Sequence, residues 1–274
     1  MAFRTLFNPP LTPFDPTHRY FTSWLISPFA LSLLRGIIAL YVFVTLIYTL
    51  AYSSVNNPQR VGRHWSYFTN ITNWSEAFYF LFAAGHGAWY ARNGRVPLEQ
   101  WWKLLRFAHG LLYTTVLTFP ILVTLVYWII LAPSDDVFTS RFETWNNISV
   151  HALNCVWSLI EILIPRTEPP AILHLIFLIL FLALYLALAY VTKETQGFYT
   201  YSFLDPGKGV GSLVGYMFGV LIGICVLFAI VWGVVWLRKW ITEEKGGFGG
   251  KMAVKDQMDE GMGKADVEMG KVET

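Results

Sequence analysis

The feature that most constrains this chain is a series of apolar stretches long enough to cross a lipid bilayer. A spanning helix needs about 20 mainly apolar residues. Six stretches reach or approach that length, at about 33–53, 69–90, 107–132, 147–164, 171–191 and 210–238. Charged residues make up 14% of the chain, against about 25% in soluble domains. The sequence therefore predicts an all-α integral membrane protein with a six-transmembrane-helix bundle.

The two ends of the chain differ from this apolar centre. Residues 1–28 mix proline, aromatic and polar residues, unlike a signal peptide, and we expect an N-terminal cytoplasmic or interfacial segment. Residues 29–242 form the predicted six-helix transmembrane domain. Residues 243–274 are polar and glycine-rich and too poor in apolar residues to build a core, which predicts a disordered cytoplasmic tail.

The distribution of Lys and Arg predicts the orientation in the membrane. With six spans and a cytoplasmic N-terminus, the cytoplasmic side holds about twice as many of these residues as the opposite side. Both termini are therefore predicted to be cytoplasmic, in the endoplasmic reticulum or the plasma membrane. Arg35 is expected to snorkel at the cytoplasmic edge of the first span. A net charge of +2 gives no reason to expect a nucleic-acid partner.

A glycine stripe marks the last span. One glycine in every four residues puts a smooth stripe on one helix face, which lets a neighbouring helix approach closely. The stripe predicts tight helix packing and is a possible face for oligomerisation. Its members are Gly211, Gly215, Gly219 and Gly223.

Two of the six spans concentrate polar side chains, which are costly in a bilayer and therefore candidates for function. In the second span, Thr69, Asn73 and Glu76 follow helical spacing, with Thr72 beside them. The polar residues of the fourth span also share one face, which must point into the bundle because lipid cannot satisfy hydrogen-bond donors. They are Asn147, His151, Asn154, Ser158 and Glu161.

The two stripes hold the groups that a hydrolase needs. Thr69 and His151 are both expected near the non-cytoplasmic ends of their spans. A histidine can take the proton of a threonine hydroxyl and return it to a leaving alcohol. Side-chain donors can stabilise the oxyanion, and a carboxylate can orient the imidazole. The candidate donors are Asn70, Asn73, Asn147 and Tyr201, and the candidate carboxylates are Asp205 and Glu76. The alternative interpretation is that both stripes serve only as hydrogen-bonding contacts between helices.

The remaining histidines do not suggest a metal site. His86 and His109 have no cysteine or carboxylate at ligand spacing, and His174 is expected to pair with Glu161. No metal and no cofactor is therefore predicted.

Several short motifs occur together in a characteristic order. They are SYFTNIT (Ser66 to Thr72), Phe119-Pro120 followed by Trp128-Ile129-Ile130, the Asn147 and His151 pair leading to Glu161, and GFYTYSFLD (Gly197 to Asp205). In this order the chain resembles the androgen-induced / androgen-dependent TFPI-regulating protein family, and especially its fungal members. The segments around Thr72 to Trp74 and Val150 to Leu175 also look like the more distant rolling-stone family.

The resemblance implies both a fold and a reaction. It implies six helices and hydrolysis of fatty acid esters of hydroxy fatty acids, with a lipid ester as substrate and membrane lipids as surroundings. The threonine nucleophile maps onto Thr69 and its histidine partner onto His151. The rolling-stone match favours Thr72 as an alternative nucleophile. A non-enzymatic role, as an adhesion or fusion factor or a lipid-binding scaffold, is the alternative function.

Overall fold

The structure is a computed structural model that describes residue 15 and residues 17–132 and 138–248. The regular structure of these residues is helical, with one isolated bridge between Ser23 and Pro165. The all-helical prediction is confirmed. Most of the predicted C-terminal tail lies outside the described residues. The α-helices are α1 (Pro28–Asn56), α2 (Pro58–Gly62), α3 (Phe68–Asn93), α4 (Lys103–Val126), α5 (Arg141–Ile148), α6 (Asn154–Leu163), α7 (Leu173–Gln196) and α8 (Val210–Lys239).

Shorter helical turns extend or join these helices. In the part of the chain that the structure describes, three are π turns, in which each backbone hydrogen bond joins residues five apart in sequence and not four as in an α-helix. They are Tyr127–Leu131 after α4, Ser149–Leu153 between α5 and α6, and Trp240–Lys245 after α8. The 3₁₀ turns among the described residues are His64–Ser66, Pro97–Gln100, Ser202–Leu204 and Pro206–Lys208.

Within the described residues, four helices are long and apolar enough to cross a membrane. They are Pro28–Asn56, Lys103–Leu131, Leu173–Gln196 and Val210–Lys245. They correspond to the first, third, fifth and sixth predicted spans, and they make this a multi-pass membrane protein. The second and fourth predicted spans, α3 and the run from α5 to α6, fall short because they carry the polar stripes.

Small residues allow α1 and α3 to pack closely. The Ser32 hydroxyl donates to the Ala84 carbonyl at 2.7 Å. A Cβ added at Gly87 would lie 3.3 Å from Ser32 Cβ. The glycines of α8 have no such neighbour within the described chain, where an added Cβ would meet nothing within 4 Å. The close packing predicted for the α8 stripe is therefore found between α1 and α3 instead, because glycine spacing marks a smooth face without specifying its neighbour.

Pro120 lies inside α4 and removes one hydrogen bond from that helix. A proline has no amide N–H, so the Val116 carbonyl loses its partner one turn earlier. The Ser158 hydroxyl of α6 donates to this carbonyl at 2.6 Å. A polar residue of the fourth predicted span thus satisfies a backbone group in the third, which ties α4 to α6.

A buried ion pair joins α1 to α6. Arg35 Nε lies 3.0 Å from Glu161 Oε2, and Arg35 Nη2 also contacts Glu161 Oε1. Tyr79 of α3 donates to the same carboxylate at 2.7 Å, and Arg35 donates to the Tyr20 carbonyl at 2.7 Å. Arg35 is 1% exposed, so the expectation that it snorkels at the membrane edge is wrong.

The expectation that His174 pairs with Glu161 is also wrong. Glu161 is occupied by Arg35 and Tyr79, which leaves His174 to another helix. His174 Nδ1 lies 2.6 Å from the Thr114 hydroxyl of α4. A buried carboxylate gains more from a guanidinium, which is always charged and can bind it through two parallel hydrogen bonds, than from an imidazole.

Breaking the Arg35–Glu161 pair is expected to destabilise the fold strongly. Arg35→Leu leaves an uncompensated buried carboxylate, and losing one partner of a buried pair costs about 3–5 kcal/mol. The double variant Arg35→Met/Glu161→Leu should recover most of the loss because neither charge remains. Thermal denaturation of the detergent-solubilised protein measures both effects.

The Arg60–Glu143 pair provides the matched control. It is also an arginine–glutamate pair, but the Arg60 side chain is 52% exposed. Arg60→Gln should therefore change stability by only about 0–1 kcal/mol. Equal destabilisation by Arg35→Leu and Arg60→Gln would contradict the structural role of the buried pair.

Candidate functional site

Two π turns bring Tyr127 and His151 together. Tyr127 begins the turn that extends α4, and His151 is the central residue of the turn between α5 and α6. Their rings are stacked in parallel, with centroids 3.5 Å apart and an interplanar angle of 1°. The Trp128 indole donates to the His151 carbonyl at 3.0 Å. The imidazole is therefore held from one face by an aromatic ring and at its backbone by the neighbouring helix.

Thr69 lies in the first turn of α3, opposite the turn that holds His151. The Asn73 amide donates to the Thr69 carbonyl at 2.8 Å and to the Val150 carbonyl at 3.4 Å. This side chain links the start of α3 to the residue that precedes His151. Within the described chain no direct hydrogen bond joins the Thr69 hydroxyl to His151.

Two cavities meet at this position. An apolar cavity of about 320 Å³ lies between α4, α7, α8 and the segment 201–204. A polar cavity of about 560 Å³ lies beside it and includes His151 and Asn147 in its lining. Both cavities are lined by Thr69, Tyr127, Leu131 and Tyr201. Thr69 therefore lies at the boundary between an apolar cavity and a polar one.

Tyr201 is the predicted oxyanion donor whose side chain contacts the side chain of Thr69. Its hydroxyl interacts with the side chains of Thr69 and Tyr185, and burial raises its pKa. A phenol is already protonated near neutral pH because its ordinary pKa is about 10, and burial strengthens that preference, so Tyr201 retains a proton to donate. Tyr185 is fixed in turn because it donates to the Ser66 carbonyl at 3.0 Å.

The other predicted site residues lie further from this boundary. Thr72 is buried, its hydroxyl has no hydrogen-bond partner in the described chain, and it lines neither cavity. Glu76 is fully buried one turn deeper along α3, also without a partner for its carboxylate there. Asp205 accepts from the Gly207 amide at 2.9 Å and caps its own turn. Asn70 lines the polar cavity but donates to the His64 carbonyl at 2.8 Å.

The imidazole of His151 lacks the carboxylate that was expected to orient it. In the part of the chain that the structure describes, His151 Nδ1 is buried without a hydrogen-bond partner. Neither Glu76 nor Asp205 is bonded to it. The parallel Tyr127 ring is the observed contact that restrains the imidazole. The described residues also contain no group of three His, Cys, Asp or Glu side chains arranged to hold a metal ion.

Of the four residues that line both cavities, Tyr127 and Leu131 are the two that sequence patterns did not indicate. Both belong to a π turn, whose extra residue displaces side chains from the faces that a regular helix predicts. The one available signal was the Trp128-Ile129-Ile130 motif, which directly follows Tyr127.

Comparison with models of known protein families identifies the family to which the chain belongs. Residues 31–234 match the profile of the FAR-17a/AIG1-like protein family. The chain belongs to the FAR-17a/AIG1-like family. This is the androgen-induced family predicted from the ordered motifs, and both cavities lie within the matched range. Searches of curated proteins and of solved structures found no match to the chain.

Removing the aromatic ring at position 127 should free the His151 imidazole. An aromatic stack contributes about 1 kcal/mol. Losing it should raise the population of the unstacked, reagent-accessible His151 ring roughly fivefold. Tyr127→Leu is therefore expected to raise the rate at which diethyl pyrocarbonate modifies His151 about fivefold, as measured by mass spectrometry.

Tyr127→Phe is the matched control because it keeps the ring and loses only the hydroxyl. It should leave the modification rate near that of the wild type, and His109 provides an internal reference for the integrity of the fold. A rate that is unchanged in Tyr127→Leu would show that the stack does not restrain His151.

Proposed function

We propose that this protein is an intramembrane threonine hydrolase that cleaves lipid esters. The observation that carries the proposal is the position of Thr69, which lines both the apolar and the polar cavity, while His151 lines the polar one. A lipid ester matches this pair of cavities, since its chains are apolar and its ester group is polar. Fatty acid esters of hydroxy fatty acids are the substrate class that the family resemblance implies.

The reaction begins at the Thr69 hydroxyl. His151 takes its proton while the threonine oxygen attacks the ester carbonyl, and a bond forms between that oxygen and the carbonyl carbon. The tetrahedral intermediate collapses, the bond to the alcohol oxygen breaks, and His151 returns the proton to the departing alcohol. An acyl-threonine remains. Water then attacks it with His151 as base, which releases the fatty acid and restores the Thr69 hydroxyl.

The developing oxyanion requires donors that are already in place. Tyr201 is the best-placed candidate because its neutral phenol interacts with the Thr69 side chain. Asn147 lines the same polar cavity and is the second candidate. Asn73 contributes by position instead, because its amide is engaged by two carbonyls. The contacts favour Thr69 over Thr72 as the nucleophile, because Thr72 lines neither cavity.

We also propose that α3 and the run from α5 to α6 cross the membrane, which completes six spans with both termini cytoplasmic. Their polar faces are turned towards the other helices, and Asn154, Ser158 and Glu161 are fully buried. The proposal includes a transmembrane domain over residues 29–242 between an interfacial segment and a disordered tail. The endoplasmic reticulum or the plasma membrane is the proposed location.

A second proposal concerns the uncovered glycine face of α8. Because no residue of the described chain packs against Gly211, Gly215, Gly219 or Gly223, a second copy of the protein has room to approach there. Oligomerisation through this face stays a prediction.

The alternative function is non-enzymatic, as a lipid-binding scaffold or an adhesion factor of the rolling-stone kind. In that case the same cavities would bind a lipid without cleaving it.

The nucleophile and base are tested by labelling the purified protein with a lipid-like fluorophosphonate. Wild type should label, and Thr69→Ala and His151→Ala should each lose about 99% or more of the labelling rate, because general base catalysis alone contributes about 10²–10⁴-fold. Hydrolysis of a fatty acid ester of a hydroxy fatty acid should fall in parallel.

Thr72→Ala is the control for this experiment, since it removes a neighbouring threonine of the same helix. It should keep most of the labelling, and a loss confined to Thr72→Ala would make Thr72 the nucleophile. A folded wild-type protein that neither labels nor hydrolyses esters would favour the lipid-binding scaffold.

The membrane topology is tested with single cysteines on a background without Cys155 and Cys225. In sealed microsomes, whose cytoplasmic side faces outward, an impermeant maleimide should label Lys103→Cys at once. Lys193→Cys, in the last turn of α7, should react only after permeabilisation, because this end of α7 is proposed to lie on the opposite side. Immediate labelling of both positions would contradict the six-span arrangement.

A further inference from the structure

The polar cavity carries an unpaired positive charge at its rim. Its charged lining residues include Arg60, Arg63 and Glu143. Arg60 Nη1 lies 2.5 Å from Glu143 Oε1, so these two charges compensate each other. Arg63 has no ion-pair partner in the part of the chain that the structure describes. The cavity next to Thr69 therefore offers one uncompensated guanidinium.

The Arg63 guanidinium is held by an aromatic ring and not by a carboxylate. It lies over the Phe198 ring, 4.2 Å from the centroid. Such a cation–π contact orients the guanidinium without consuming its charge, and its N–H donors stay available. An arginine placed in this way is suited to a planar anion such as a carboxylate, which it can bind through two parallel hydrogen bonds.

The backbone between Arg63 and Thr69 is fixed by side-chain contacts. The Trp74 indole donates to His64 Nε2 at 2.9 Å, and the Asn70 amide donates to the His64 carbonyl at 2.8 Å. Burial lowers the pKa of His64, so its ring stays neutral and leaves the charge to Arg63. The guanidinium is thus set at a defined position on the polar side of the candidate nucleophile.

From this arrangement we infer that Arg63 forms a carboxylate subsite that determines which way round an ester binds. The inference rests on the proposed hydrolase function. The carboxylate of the alcohol half binds at Arg63 in the polar cavity, and the acyl chain occupies the apolar cavity. After attack by Thr69, the hydroxy acid leaves from the polar cavity, whereas the acyl group stays on the threonine with its chain among apolar side chains.

Equilibrium binding tests the subsite independently of any reaction. The two probes are an ether analogue of a fatty acid ester of a hydroxy fatty acid, with a free carboxylate, and the uncharged primary amide of the same analogue. The ether cannot be cleaved, so a protein without hydrolase activity still reports on Arg63. Wild type should bind the free acid about tenfold more tightly than the amide, as expected for one charge-assisted hydrogen-bonding contact.

Substitution of Arg63 should remove this preference selectively. Arg63→Gln is expected to weaken binding of the free acid about tenfold and to leave binding of the amide unchanged within about twofold. Arg63→Lys keeps the charge and should retain part of the preference. Arg141→Gln is the matched control, because it removes an exposed arginine that lines neither cavity, and it should bind both probes like the wild type.

The outcomes separate the subsite from the hydrolase proposal. Equal weakening of both probes by Arg63→Gln, an equal effect of Arg141→Gln, or no preference in the wild type would each overturn the carboxylate subsite. Hydrolysis of the corresponding cleavable ester is measured on the same preparations. A preserved carboxylate preference without hydrolysis would overturn the proposed reaction and leave the subsite standing.

Discussion

The fold depends on the ion pair between Arg35 and Glu161. A bilayer offers no hydrogen-bond partners, so a charge buried among spanning helices must be matched by another part of the protein. The carboxylate accepts from both Arg35 of α1 and Tyr79 of α3, and Arg35 also reaches the Tyr20 carbonyl. One buried carboxylate thereby fixes α1, α3 and α6 together with the segment that precedes α1.

The same requirement shapes the contacts around the cavities. Pro120 leaves the Val116 carbonyl without its helical partner, and Ser158 supplies one from α6. Asn73 spans from its own helix to the Val150 carbonyl, which places the first turn of α3 against the π turn that contains His151. The polar side chains that lower the hydropathy of α3 and α6 are thus the ones whose hydrogen bonds position the candidate site.

Sequence patterns predicted the parts of this arrangement that depend on regular helical spacing. The helical class and the inward polar stripes followed from periodicity, and the family followed from the order of short motifs. Pairing between helices could not be predicted in the same way: Glu161 binds Arg35 and not His174, and α1 and α3 pack closely where α8 was expected to. The position of Tyr127 in the site could not be predicted, because a π turn displaces its ring from the face that it would occupy in a regular helix.

The π turn at Ser149–Leu153 also makes the site sensitive to chain length. An α-helix advances about 100° per residue, so one residue inserted or removed there would rotate α6 relative to α5 by that angle. Asn147 would stay on its face, while Asn154, Ser158 and Glu161 would turn away from theirs. Inserting or deleting one residue in this segment would therefore turn Glu161 away from Arg35 while Asn147 kept its place beside the polar cavity.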